Sequence, residues 1–250
     1  MLSDADIKRV KGEGFLRNRG TECFSARVIT ENGVLTTEEM TVICEAAKKF
    51  GNGKVSFTSR LTVEVPGIPY EEIPAFREYI AKAGLYTGGT GARVRPIVAC
   101  KGTTCVFGVY DTQQLAKELH DRFYLGWYDV KLPHKFKIAC GGCFHNCMKP
   151  DTNDVGIVGA KKETADHPAM FRIMLGGTWG RNCRRAKELP RLYTYDEVFD
   201  IVEKSILLFK RDGEEKKRFA DLVEKMGIDA VAALFETDEL TAAKDEILSK

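Results

Sequence analysis

The sequence predicts an α+β fold: a strand–helix–strand–helix half-domain, then a mixed α/β portion that ends in helices. Three observations carry this. Two β-branched runs, FSARVITENGVLT and KVSFTSRLTVEVPG, bracket the helical pattern LTTEEMTVICEAAKKFGNG. Further on, the short apolar runs KFKIAC, DVGIVGA and FRIMLGG read as strands, the last two buried. From Tyr193 onward the periodicity is helical.

In chain order, the charged and glycine-rich start, MLSDADIKRVKGEG, reads as a weakly patterned lead-in. FSARVITENGVLT alternates as a strand does, with Asn32-Gly33 as a turn. The helix that follows has a threonine cap, Glu38 and Glu39 in its first turn and Gly51 as its stop. Within it, Cys44 reads as a small buried hydrophobe. KVSFTSRLTVEVPG is the clearest strand; it carries Arg60 and is broken by Pro66-Gly67. PYEEIPAFREYIAKAGL is a second helix ending at Gly84. TGGTGARVRPIVAC is a glycine-rich loop leading into a short strand that delivers Cys100. TQQLAKELHDRFY is an amphipathic helix, with Leu115, Leu119 and Phe123 at i, i+4 and i+8. TYDEVFDIVEKSILLFKRDG and EEKKRFADLVEKMG are the closing helices. No Pro- or Ser-rich linker separates the halves, so close packing of the two is expected.

A chain of 250 residues can bury a core without disulfides. Its 44% hydrophobic and 30% charged residues are those of a globular protein. No run approaches the roughly 18 apolar residues of a membrane span, and the first residues lack the apolar region of a secretory signal. The expected compartment is the cytoplasm, where thiols stay reduced. A net charge of +2 is too small to argue for a nucleic-acid partner, and none is expected. The basic residues are unevenly placed, however. Arg93, Arg95, Lys101, Lys131, Lys135, Lys137 and Lys149, then Arg181, Arg184 and Arg185, crowd around cysteines and glycines, as an anion pocket requires.

Eight cysteines in a reducing compartment point to metal or redox chemistry. Five are grouped: Cys100 with Cys105, and Cys140, Cys143 and Cys147. Two pairs on separate loops, Cys100-x4-Cys105 and Cys143-x3-Cys147, can deliver four thiolates to a 4Fe–4S cluster. Gly102, Gly141 and Gly142 would let the backbone approach it closely. Two Cys pairs also suit a structural zinc site, which stays open on spacing alone. On KFK, Lys135 and Lys137 share one side of a strand while Phe136 points away into packing. A lysine among other cations can have a lowered pKa, which suits proton delivery to a bound anion.

Together these segments resemble the sirohaem and 4Fe–4S sulfite and nitrite reductases, in their small single-copy form. SFTSRLTVEVPGIP resembles the family's TTRQ-type strand, GTGARVRPIVAC its arginine-bearing approach to the first cysteine pair, and LPHKFK its lysine-rich substrate motif. DTNDVGIVGA and RIMLGGTWGRN resemble the segments that follow the second pair. The resemblance implies a ferredoxin-like half-domain over 1–92 packed on a sirohaem and 4Fe–4S domain over 93–250. It implies that Cys100, Cys105, Cys143 and Cys147 hold the cluster and that Cys147 also bridges it to the sirohaem iron. Arg60, Arg95, Lys135 and Lys137 would form the anion pocket. The sirohaem carboxylates would meet Arg93, Lys101, Lys149, Arg181, Arg184 and Arg185. Thr103, Thr104 and backbone N–H groups of residues 87–91, Gly176 and Gly177 would assist. The implied reaction is six-electron reduction of sulfite to sulfide or of nitrite to ammonia.

Three features depart from the family pattern. The first pair is C-x4-C where the family has C-x5-C, Cys140 is an additional thiol, and one set of motifs is present where well-known members have two halves. Cys140 is expected to be a silent neighbour, with a redox partner or a replacement ligand as alternatives. No flavin or nicotinamide signature is present, so electrons would come from a ferredoxin or a partner subunit. Self-association could recreate the two-half architecture. The competing readings are a non-catalytic iron–sulfur subunit of a reductase complex and a zinc-stabilised binding domain.

Overall fold

The computed structural model describes residues 2–249. It is α+β, and the chain divides into two compact units, Met1–Gly91 and Ala92–Lys250.

The first unit is ferredoxin-like: a four-stranded antiparallel sheet under helices. Its elements are α1 (Asp4–Gly12), β1 (Phe15–Arg17), β2 (Phe24–Val28), α2 (Thr37–Phe50), β3 (Ser56–Phe57), β4 (Val63–Ile68) and α3 (Ile73–Ala81), and the strand order is β1-β2-β4-β3. The core places Ala26, Val28, Val63 and Val65 of the sheet with Ile43, Phe50, Phe76 and Ile80 of α2 and α3. Phe76 sits edge-on to Phe15 and Phe50. The expected helix begins at a capping box: Thr36 accepts from the Glu39 N–H, and Glu39 accepts from the Thr36 N–H. Cys44, on its flank, is half-buried rather than buried.

Three expectations change here. The start of the chain is not a lead-in but α1 and β1. Ser3 caps the helix, acids and bases sit at its favourable ends, and Val10 is fully buried. Pro66-Gly67 does not break β4. A bulge in the β2 pairing between Phe24 and Ala26 accommodates Pro66, whose missing N–H costs no ladder bond there. Arg60 is not in a strand. It lies in the turn joining β3 to β4, where Leu61 takes φ +60° and the Leu61 N–H donates to the Thr58 carbonyl at 3.1 Å.

The second unit holds a mixed five-stranded sheet, order β5-β6-β7-β8-β9: β5 (Val98–Ala99), β6 (Ile138–Gly141), β7 (Val155–Lys161), β8 (Met170–Leu175) and β9 (Lys187–Glu188). Strands β5, β6 and β7 are parallel, and β8 and β9 add antiparallel. The helix α4 (Thr112–Leu119) continues as a π-helical stretch over His120–Leu125, and Leu115, Leu119 and Phe123 form the expected buried stripe. Strand β8 turns Phe171, Ile173 and Leu175 inward, and Phe171 meets Tyr195 of α5 (Tyr195–Asp212) at 6.0 Å between ring centroids. Helices α6 (Phe219–Met226), α7 (Ile228–Phe235), α8 (Glu239–Ala242) and α9 (Lys244–Ser249) follow. Among the described residues no helix is long and apolar enough to cross a membrane.

Candidate functional site

Two adjacent parallel strands deliver the cysteines. Cys100 follows β5 directly, and Cys143 follows β6 after Gly142, so both loops leave the carboxyl ends of paired strands. That end of a parallel sheet is the usual place for a ligand site. The loops touch through bare backbone: a Cβ on Gly142 would lie 3.0 Å from the Gly102 Cα and 3.4 Å from the Cys100 sulfur. The Gly142 N–H donates to the Cys100 Sγ at 3.2 Å, as backbone amides do towards thiolates. Cys100, Cys105 and Cys143 are half-buried, and Cys147 is exposed.

Among the described residues no three His, Cys, Asp or Glu side chains are drawn together as a single-ion site requires. Four thiols on two adjoining loops, one of them accepting an amide N–H, are the donor set that a 4Fe–4S cluster takes. Around them Val106, Phe107 and Phe144 are exposed apolar side chains, and Phe107 and Phe144 flank His145. A cavity of about 460 Å³ opens beside Cys143, lined by Phe144, Asn146, Asp151 and, from the sheet, Val158, Arg172 and Met174.

Cys140 is set inside the sheet. It lies within β6 opposite Ile157, is fully buried, and its thiol is pushed far up by burial and then by the neighbouring Cys100. A thiol so held is not an available thiolate.

The basic residues expected around an anion come together just before β6. Lys135 and Lys137 are not in a strand as expected, since β6 begins at Ile138 and Phe136 makes only an isolated bridge, but Phe136 is fully buried against Phe209 and Phe219. It bridges Val94 in parallel, with its N–H donating to the Arg93 carbonyl and its carbonyl accepting from the Arg95 N–H. Lys135 and Arg95 are electrostatic neighbours. Arg93 stacks on Tyr128, 4.3 Å from the ring centroid. Burial lowers the Lys135 pKa, and Arg218 and Arg95 lower it further against the pull of Asp154. Burial likewise lowers His134, helped by Lys135, Arg218 and Arg95. Arg60 belongs to the other unit.

Sequence reasoning missed two members of this group. Asp154 is wholly buried, and its Oδ2 accepts from the Lys137 N–H at 2.8 Å and from Arg218 Nη2 at 2.7 Å. Burial raises the Asp154 pKa, while Arg218 and the Lys137 N–H pull it back. Arg218 caps the start of α6, 64 residues downstream, and no local spacing could have joined them.

Several residues expected to meet a cofactor are engaged within the protein. The Gly176 and Gly177 N–H groups donate to the Asp154 and Asn153 carbonyls, both at 2.9 Å, so these two glycines offer no amides to an anion. Their bareness serves packing instead: a Cβ on Gly177 would lie 2.6 Å from the Asp151 carbonyl oxygen. The Gly88 N–H donates to the Arg27 carbonyl. Arg184 pairs with Asp221 and Glu224, and Arg185 with Asp151. The Thr103 hydroxyl donates to Asp111 at 2.6 Å, and that of Thr104 to the Lys101 carbonyl at 3.3 Å. Lys101, Lys149 and Arg181 are exposed.

Comparison with known proteins identifies the family. Residues 90–242 match the nitrite and sulphite reductase 4Fe-4S domain, and residues 17–83 match the nitrite/sulfite reductase ferredoxin-like half domain. The chain therefore belongs to the nitrite and sulphite reductase family. It is 26% identical to an uncharacterised protein of Methanocaldococcus jannaschii, covering 83% of this chain and 89% of that one. It is 33% identical to the coenzyme F420-dependent sulfite reductase of the same organism, over 62% of this chain and 23% of the relative. The solved structure of Mycobacterium tuberculosis NirA superposes with a TM-score of 0.81 at 21% identity, covering 96% of this chain and 48% of NirA, and so shares its fold. The chain thus spans under half of NirA and under a quarter of the sulfite reductase.

Proposed function

We propose that this chain is a sirohaem-dependent reductase of sulfite or nitrite. The observation that carries the proposal is that two adjacent parallel strands join two sites: Arg95 lies before β5 and His134 and Lys135 before β6, with Arg218 as their electrostatic neighbour, and the two cysteine loops follow β5 and β6. An electron-relay protein needs cysteines but no anion pocket. In this reading Cys100, Cys105, Cys143 and Cys147 would hold the 4Fe–4S cluster, and Cys147, the exposed one, would be the thiol nearest sirohaem. When bound, the pair supplies electrons one at a time at an iron that takes the anion.

The chain's own side chains do the rest. Arg95 and Lys137 bind the oxyanion. Lys135 releases a proton more readily than an ordinary lysine, because its burial and its cationic neighbours favour the neutral amine. Each oxygen removed as water needs two protons, so a lysine of this kind beside the anion has a direct use. Arg93, Lys101, Lys149 and Arg181 are the cations left to meet the macrocycle's carboxylates, while Arg184 and Arg185 are already paired. Electrons arrive from a separate carrier, a ferredoxin or a partner subunit.

Turnover of sulfite and of nitrite with a chemical reductant tests the reading. The intact chain should reduce at least one anion by six electrons. Replacing Lys135 and Lys137 with Ala should lower the rate by about 100-fold or more while leaving the iron content unchanged. Turnover equal to that of the intact chain would contradict the pocket assignment.

A further inference from the structure

We propose that the buried Asp154 carboxylate is the positioning group of the cationic pocket: it locks the lysine-bearing segment to Arg218 and so makes Arg218 a member of that pocket. The inference rests on the reductase reading only for the identity of the anion. The geometry is specific. One carboxylate oxygen of a wholly buried side chain accepts both the Lys137 N–H and the Arg218 guanidinium. The second oxygen, Oδ1, and the Nε of Arg218 are buried without a hydrogen-bond partner among the described residues. A buried ion pair left incompletely bonded is a poor source of stability, because desolvation outweighs the attraction unless every polar atom is satisfied. Its physical use here is orientation: Asp154 neutralises part of the Arg218 charge and fixes where the rest is felt.

Lys135 is where it is felt. The charged and titratable groups facing it are Arg95 from the 93–95 segment, His134 beside it, Asp154 before β7, and Arg218 at the start of α6, with Lys137 reaching it through Asp154. Asp221 of α6 reaches His134 and is itself held by Arg184. Arg218 is the leading charged neighbour lowering Lys135, and Asp154 is the one opposing it. Removing the arginine should therefore raise the Lys135 pKa. Removing the carboxylate once the arginine is gone should lower it again.

The test is competitive acylation of the full-length, cofactor-loaded protein across a pH series. The labelling of Lys135 is quantified by mass spectrometry, with exposed Lys131 as internal reference. In Arg218→Met the midpoint for Lys135 should move to higher pH, and adding Asp154→Asn in that background should move it back down. Circular dichroism confirms folding. Where the double variant does not fold, Arg218→Met alone decides, since Arg218 lies at a helix start. A folded Arg218→Met with an unmoved Lys135 midpoint overturns the inference. A chain whose Lys135 responds as stated but that reduces neither anion keeps this arrangement and removes the reductase reading. A working reductase with an unmoved midpoint does the converse.

Discussion

Cys140 and Cys143 are three positions apart, yet they meet different surroundings. Cys140 lies within β6, a strand buried along its whole length, near the phenols of Tyr110 and Tyr195, whose own ionisation burial also suppresses. Cys143 lies beyond the strand, at the edge of a cavity. Burial inside the sheet is the position a silent thiol takes, and spacing does not reveal it. A four-residue strand puts the first cysteine inside its span and the second past its end. Cys143→Ala should lose most of the bound iron, while Cys140→Ala should keep it, as measured by iron content per chain after anaerobic purification. Equal iron loss in both variants would return Cys140 to the ligand set. At this scale Phe136 was legible, because period-two alternation fixes which side it takes. The partnership of Asp154 with Arg218 was not legible, because tertiary folding alone brings together residues 64 positions apart.

At the scale of elements, the helix over Thr37–Phe50 was readable because Thr36 and Glu39 satisfy each other's backbone N–H groups. Thr36→Ala should cost about 1 kcal/mol of stability in denaturant unfolding, with unchanged secondary structure. A loss indistinguishable from zero would show that tertiary packing alone sets this helix. The helix α1 escaped the reading because only Val10 is buried along its length, so no apolar stripe marks it. Its evidence lies in Ser3 and in the distribution of charge at its two ends. The turn at Arg60 escaped for the opposite reason. Its flanks are β-branched enough to hide a left-handed Leu61, which no propensity favours. Pro66 misled for lack of a partner strand in view, since only the bulge in the β2 pairing shows that the missing N–H is tolerated.

At the scale of the whole molecule, both family domains are present once, one in each unit. The chain matches nearly all of one archaeal relative but under half of NirA. Membership of the family was legible because its motifs are short and contiguous, whereas the internal pairing of Arg184, Arg185, Gly176 and Gly177 depends on where α6 and the 150–154 turn come to rest. The central claim is that one chain carries both a 4Fe–4S cluster and sirohaem beside an anion pocket. The most direct test is the visible absorption spectrum of anaerobically purified protein, read together with its iron content. The account predicts sirohaem bands that shift on adding sulfite or nitrite, with about five irons per chain, four in the cluster and one in the macrocycle. A colourless protein holding one or two zinc ions, or a brown protein with no sirohaem bands and no response to either anion, would contradict it.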